Sequence, residues 1–556
     1  MKNILKKINR KIKIIITSLI IISTIGFVSF DDDNFQIAKN LDIYYTLFKE
    51  LNLYYVDKID AGDLIKTSID KMLSSLDPYT VYIPESDIED FKFMTTGEYG
   101  GIGALIHKKG DFIVITEPYK DFPAFKAGLR AGDKIIKIDN QSVKGKNSKE
   151  ISELLKGTPN SEVKLNIERI NNTKPIEIKV TREKIQINSV PYFGMLNDSI
   201  GYIRLSSFTR NCSNDVKKAF KTLKNNNNLT GLVFDLRGNP GGLLIEAVNV
   251  LNLFVPKNQE VVSTKGRIKE RNTIYNTTKD PIDLDIPLAL LVNNGSASAS
   301  EIVSGAIQDL DRGVIIGSRT FGKGLVQSTR DLSYNAKLKL TIAKYYIPSG
   351  RCIQALDYTH RNSDGSVGRI PDSLISEFKT KGGRLVYDGG GITPDVKIKK
   401  QPLSKIAISL YKKDLFFDYA TEFQYKHTKI LPVNKFKITD EIYNDFVDFL
   451  SDKEFDYTLE SEKILDKLEK AIKKDKYDDK ISTEIDDLRT KLSHNKNNDL
   501  IKFKKEIKEI LKSEIASRYY YQEGREESLI LTDSIALKAV NILQDKEKYN
   551  KILTVN

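Results

Sequence analysis

The chain is poor in cysteine and histidine, and each shortage narrows what it can do. Its 556 residues include two cysteines, Cys212 and Cys352. Two thiols make no disulfide framework, although an exported chain could join them. The four histidines, His107, His360, His427 and His494, fall at no metal-ligand spacing, so no metal centre is expected. Internal repeats are not evident. The basic residues never gather with aromatics into a readable patch. The net charge of +12 therefore reads as a taste for Lys, Ile and Asn, and a nucleic-acid partner is not expected.

The length implies about three or four domains. Met1 to Lys13 hold six basic side chains and no acid, residues 14–30 carry no charge, and Asp31, Asp32 and Asp33 follow. This is the pattern of a secretory signal or a membrane anchor with the N-terminus inside. Seventeen apolar residues is the short end of what spans a bilayer. Thr24-Ile-Gly26 is the best cleavage candidate. Either form sends the rest of the chain to the periplasmic side of an inner membrane.

Leu41, Tyr44, Tyr45, Phe48 and Leu51 make a helical stripe within 35–55. Asp63 could cap a second helix holding Leu64, Ile65, Ile69, Met72 and Leu73. Both stripes are expected to be core. From about Gly97 to Glu183 short strands alternate with one helix. From Ile185 to about Lys400 apolar strands (Ile200–Leu205, Leu232–Leu236, Ile286–Val292, Val314–Ile316) alternate with helices (Asp215–Leu223, Leu244–Leu253, Ser300–Leu310). That alternation argues for an α/β layered fold. After Gln401 glycine and proline nearly vanish and amphipathic helices are expected. One is capped by Thr439 with Ile442, Phe446, Val447 and Leu450 inward. A second carries Ile464, Leu465, Leu468 and Ile472, and a third Phe503, Ile507, Ile510, Leu511 and Ile515.

The chemistry concentrates where the strand Ile286–Val292 runs through Asn293-Asn-Gly-Ser-Ala-Ser-Ala-Ser-Glu301 into a helix. A strand, a tight turn of small residues and a helix expose a serine at a positive helix end. A serine needs a base. Lys323 lies between two glycines beside Phe321, Leu325 and Val326, and burial would lower its pKa toward that role. If Lys323 to Gln327 is extended, the two side chains share a face. Pro240-Gly-Gly242 opens another helix, whose free amides suit an oxyanion.

Together these segments resemble the C-terminal processing (tail-specific) peptidases, serine enzymes with a Ser-Lys dyad. The resemblance rests on Ser-Ala-Ser-Ala-Ser-Glu301 and Phe321-Gly-Lys-Gly-Leu-Val-Gln327. It extends to Ile200–Phe208, Asp235-Leu-Arg-Gly-Asn-Pro-Gly-Gly242, Tyr346–Gln354 and Gly391-Ile-Thr-Pro-Asp395. It implies Ser298 as nucleophile, Lys323 as base and Gln327 as its orienting partner, with the N–H groups of Gly242 and Ala299 as oxyanion donors. No metal, nucleotide or other cofactor is implied. Tyr99-Gly-Gly-Ile-Gly-Ala-Leu-Ile106 and Ala127-Gly-Leu-Arg-Ala-Gly-Asp133 resemble a PDZ domain. Such a domain adds a peptide to its sheet edge and holds the terminal carboxylate in a loop of amides, assigned here to Gly100, Gly101, Ile102 and Gly103.

The expected order is a signal peptide or anchor over 1–30, a helical region over 31–95, a PDZ domain over 96–183, an α/β protease core over 184–400 and a helical extension over 401–556. The expected function is an endopeptidase taking proteins by their C-terminal tails, plausibly envelope proteins. The rival is an inactive PDZ-bearing periplasmic scaffold. His360 is a second candidate base. The extension is expected either to cover the protease or to dock an adaptor or a second subunit.

Overall fold

The computed structural model describes residues 34–226, 228–399, 402–475, 478–492 and 496–554, so the apolar run at 14–30 lies outside the described residues. The chain forms two compact units, Met1–Tyr82 and Ile83–Asn556. The first contains a helix over 34–54 and the helix Ala61–Ser74. Two expectations change here. Asp60, not Asp63, caps the second helix, accepting the Asp63 N–H at 3.0 Å. Leu41, Tyr44, Tyr45 and Leu51 are exposed rather than core. An amphipathic period specifies a stripe, and burial needs a partner for it. No helix among the described residues is long and apolar enough to cross a membrane.

Early in the second unit an antiparallel sheet runs in the order Ala104–Lys109, Phe112–Pro118, Lys134–Ile138, Glu162–Glu168, Ile176–Thr181. The strand Ala104–Lys109 is its edge, and the helix Ser148–Leu155 packs beside it. That helix begins with a capping box, in which Asn147 accepts the Glu150 N–H at 3.0 Å and the Glu150 carboxylate accepts the Asn147 N–H at 2.8 Å. Ile151 and Leu155 close the core over Ile113, Ile135 and Leu165.

The central sheet comprises β1 (Tyr192–Met195), β2 (Ile200–Arg204), β3 (Gly231–Asp235), β4 (Leu288–Val292), β5 (Val314–Gly317) and β6 (Val396–Lys397), in that spatial order. β1 is antiparallel to β2 and the remaining pairs are parallel. The helices α1 (Cys212–Asn226), α2 (Leu244–Leu251) and α3 (Ala299–Asp309) connect parallel neighbours. Strands β2 to β5 step across the sheet in chain order. Right-handed crossovers in one direction deliver every helix to the same face. Strand residues alternate accordingly. Ile203, Phe234, Leu290 and Ile315 meet α1 to α3, while Tyr202, Val233, Leu291 and Ile316 point the other way.

That second face would stand bare without the end of the chain. After the kinked helix α4 (Lys504–Ile530) come α5 (Ser534–Gln544) and α6 (Lys546–Leu553). Ile535, Ala539, Ile542, Leu543 and Tyr549 pack on Tyr202, Val233, Ala289 and Val314. Tyr549 also accepts the buried Leu288 N–H at 3.0 Å. The closing helices thus cover the central sheet. The rest of the extension has its own core, including Ile406, Phe416, Tyr419, Phe446, Leu511 and Ile515. Thr439 caps the helix Asp440–Phe449 as expected, whereas Ile464 and Leu468 of Glu460–Asp475 are exposed rather than inward.

The kink in α4 falls at Tyr521, whose φ is 55°, and the Tyr521 ring meets Phe125 at 5.3 Å between centroids. Just beyond it Arg525 lies 2.9 Å from buried Glu117 of the strand Phe112–Pro118, and Glu526 pairs with Arg204 of β2.

Candidate active site

The site lies at the carboxyl ends of β3 and β4, where parallel α/β sheets place their ligands. Two loops there are joined by hydrogen bonds. Asn293 Oδ1 accepts the N–H groups of Gly238 and Gly295, each at 2.9 Å. The buried Ser296 hydroxyl donates to the Leu236 carbonyl at 2.8 Å. Asn239, also buried, takes the Gly241 N–H on its side chain at 2.9 Å. The Asn239 carbonyl accepts the Ala297 N–H at 3.0 Å and the Ser300 hydroxyl at 2.9 Å.

Ser298 ends this turn with φ at 56° and ψ at −114°. A left-handed backbone at a residue with a Cβ costs about 1–3 kcal/mol and persists where the surroundings impose it. Ser298 is half-buried and immediately precedes α3. The Ala299 N–H is therefore at the helix N-terminus, and no acceptor among the described residues takes it. Gly242 faces the same corner. Phe208 donates to the Gly241 carbonyl at 2.9 Å and accepts from the Leu243 N–H at 2.8 Å, which leaves the Gly242 N–H turned away from that strand. Its φ is 146°, and a Cβ there would come 2.4 Å from the Phe208 carbonyl oxygen. A Cβ on Gly241 would come 2.8 Å from the Ser298 Cβ. Both glycines are required by close approach.

Lys323 is brought to Ser298 by a carboxylate. Glu301 is fully buried in the first turn of α3. Its Oε2 accepts the N–H groups of Ser298 and Lys323, each at 2.9 Å. Its Oε1 accepts the Gly322 N–H at 2.7 Å and the Thr320 hydroxyl at 2.6 Å. Burial outweighs these four bonds and pushes the Glu301 pKa up to about 7. Tyr345 joins the same two residues through their carbonyls, its hydroxyl meeting Lys323 O at 2.7 Å and Ser298 O at 3.1 Å. Gln354 holds the lysine loop from beyond, accepting the Gly324 N–H at 2.8 Å. The closing segments brace α3 at its far end, where buried Arg351 meets Asp309 at 2.7 Å and Asp395 accepts from Gln308 at 2.8 Å.

Lys323 is half-buried beside an exposed Phe321, a more open setting than the apolar pocket expected. It lies ahead of its strand, which starts at Leu325. The register shifts between Val326 and Gln327, so Lys323 and Gln327 do not share one regular extended face. The Gln327 amide donates to Thr341 Oγ1 at 3.3 Å. His360 is on the surface beside Asp357 at 2.8 Å with a side chain 84% exposed, which suits solvation rather than a base. Cys212 and Cys352 are free thiols.

Of the PDZ residues, Gly100 and Gly101 lie in a strand paired with Lys184 and Glu183. The carbonyls of Ile102 and Gly103 accept from Ala124 and Tyr119, at 2.8 and 2.9 Å. The Ile102 N–H has no acceptor among the described residues, while the Gly103 N–H is turned to the Tyr99 hydroxyl.

Glu301, Tyr345 and Asn239 are the residues whose roles sequence reasoning missed. An acid three residues after a helix-capping serine was the available signal. The arrangement defines a class: a serine hydrolase on an α/β sheet with a PDZ domain ahead of it.

Comparisons with known proteins agree. Residues 199–360 match Peptidase family S41, residues 114–169 match a PDZ domain, and residues 406–543 match "Probable PDZ-protease, C-terminal helical domain". A probable CtpA-like serine protease of Staphylococcus aureus is 34% identical over 482 residues, spanning 83% of this chain and 92% of that one. A carboxy-terminal-processing protease of Bartonella bacilliformis is 38% identical over 324 residues, spanning 58% of this chain and 74% of that one. Among solved structures, the photosystem II D1 C-terminal processing protease aligns at 30% identity with a TM-score of 0.34, covering 64% of this chain and 86% of that one. The chain belongs to peptidase family S41 and is a serine peptidase with a PDZ domain.

Proposed function

We propose that this peptidase cleaves proteins presented by their C-terminal tails, with Ser298 as nucleophile and Lys323 as general base. The observation that carries the reading is the Glu301 oxygen bonded to both backbones, which fixes the serine and the lysine against each other. A tail adds as a strand to the edge Ala104–Lys109, and the amides at Ile102 and Gly103 receive its carboxylate. At the core, neutral Lys323 takes the Ser298 hydroxyl proton as Oγ attacks the carbonyl carbon. The N–H groups of Gly242 and Ala299 hold the resulting oxyanion, a contribution of about 3–4 kcal/mol per donor. The C–N bond then breaks, and Lys323 returns its proton to the leaving amine. Water attacks the ester carbon as Lys323 again accepts a proton, the C–Oγ bond breaks, and Lys323 gives that proton to Ser298 Oγ, which releases the acid product and restores the free serine. For Gln327 to orient the amine, its Oε1 accepts a Lys323 N–H while its Nε2 keeps Thr341.

The N-terminal pattern supports work on the periplasmic side of an inner membrane, on envelope proteins. The test is cleavage of an unfolded protein with an apolar tail. Ser298→Ala and Lys323→Ala should each reduce turnover by at least about a thousand-fold with the fold retained. Wild-type turnover in a clean Lys323→Ala preparation would remove the dyad.

A further inference from the structure

Beside the catalytic loops lies a groove of about 760 Å³ that the mechanism above does not use. It sits on the antiparallel sheet of strands Glu260–Gly266, Thr273–Asn276, Leu325–Asp331 and Lys337–Tyr346. Apolar Tyr275, Val326 and Ala343 line it on one sheet face, and Ile268, Leu340 and Ile342 also border it. Three exposed arginines, Arg267, Arg271 and Arg330, line it, and no carboxylate does.

The groove is continuous with the site through one sheet face. Tyr345 is paired with Thr264, and Ala343 with Gly266. Paired residues of an antiparallel ladder, and those two positions along, share a face. Thr264, Gly266 and Ala343 line the groove, and Tyr345, on that same face, reaches the carbonyls of Ser298 and Lys323. Thr341, which receives the Gln327 amide, also lines it.

Among the described residues the three arginines have no carboxylate partner. Elsewhere half-buried Arg237 is matched by Asp235 and Asp533, and buried Arg351 by Asp309. Among the described residues Arg267, Arg271 and Arg330 form no ion pair, and Glu270 in the turn between two of them bonds to none of the three. Like charges converging on a concave, partly apolar wall raise the local positive potential and draw in carboxylates.

We infer that this groove is a specificity subsite that holds an acidic, extended segment of the substrate chain near the scissile bond. The inference rests on the peptidase reading. It adds a preference in sequence, for Asp or Glu beside the cut, distinct from recognition of the free carboxylate at the tail. Val326, Ala343 and Tyr275 in the lining accommodate the intervening side chains, since an extended segment turns alternate residues to opposite sides.

The test uses the full chain and peptides that share one apolar C-terminal tail and differ only in a block of Glu, Gln or Lys near the cleavage point. The wild-type enzyme should cleave the Glu peptide about ten-fold more efficiently than the Lys peptide, since exposed ion pairs are individually weak but three act together. The preference should shrink as salt rises. In Arg271→Glu and Arg330→Glu the ratio should fall toward one or invert. Equal wild-type rates on the Glu and Lys peptides overturn the inference while leaving the peptidase reading intact. So does a ratio unmoved in folded Arg variants, or a preference that disappears when only the tail carboxylate is amidated. If no peptide is cut, the peptidase reading fails first and the inference with it.

Discussion

The two faces of the central sheet are covered from different parts of the chain. On one side α1, α2 and α3 come from the connections between successive strands, and α3 begins at Ser298, the proposed nucleophile. On the other, α5 and α6 arrive from the last residues of the chain, after a separate helical core has been built. The near face carries the chemistry. The far face carries none, yet it reaches the same loop. Asp533 caps α5 by accepting the Ile535 and Ala536 N–H groups at 2.9 Å, and it also binds Arg237 at 2.8 Å. Arg237 in turn grips Asp235 at the end of β3, where the loop carrying Gly241 and Gly242 starts. The cover is thus part of the peptidase.

If both faces belong to one cooperative core, Ala539→Asp on the far face should cost as much as Ala306→Asp on the near face. Both alanines are fully buried, and an unpaired buried carboxylate costs about 3–5 kcal/mol. Denaturant unfolding measures both, and a separate early transition in Ala539→Asp alone would split the faces.

Glu301 gives the near face a pH signature near neutrality. Its folded pKa is raised to about 7 from 4.5, so its contribution to stability is fully present below about 4.5 and is lost as pH rises through 7. The stability of wild type relative to Glu301→Gln should therefore fall by about 3 kcal/mol across that window. A flat difference would contradict it.

Asp533→Ala tests the link between the faces. Loss of the cap should cost about 1–2 kcal/mol. Freed Arg237 should also lower kcat several-fold with little change in KM. An unchanged kcat would make the far face a passive cover. The smallest effect is expected for Tyr549→Phe, which removes the hydroxyl that accepts the Leu288 N–H and meets the Leu288 and Arg312 carbonyls, at a cost of about 1 kcal/mol with turnover unaltered.

The same comparison explains what was legible in the sequence. Near-face elements announced themselves because strand and helix periods alternate locally. Leu232–Leu236 was expected and Gly231–Asp235 is the strand, and Ser300–Leu310 was expected where α3 runs from Ala299 to Asp309. The serine and the lysine stood in recognisable motifs. The carboxylate joining them did not show its role, because that role depends on Thr320, Gly322 and Lys323 folding back over α3. Ile535, Ala539 and Leu543 specify a helix with one apolar side, but nothing local says that the side is meant for Val233 and Leu291. The first unit shows the converse, since the stripe at Leu41, Tyr44 and Tyr45 remains exposed.

The most direct measurement is active-site labelling of the full chain with a serine-reactive phosphonate, mapped by mass spectrometry, in wild type and in Lys323→Ala. A single adduct on Ser298, formed in wild type and lost or strongly slowed without the lysine, is the predicted result. An adduct on another serine, or labelling of Ser298 at the same rate without Lys323, would contradict it.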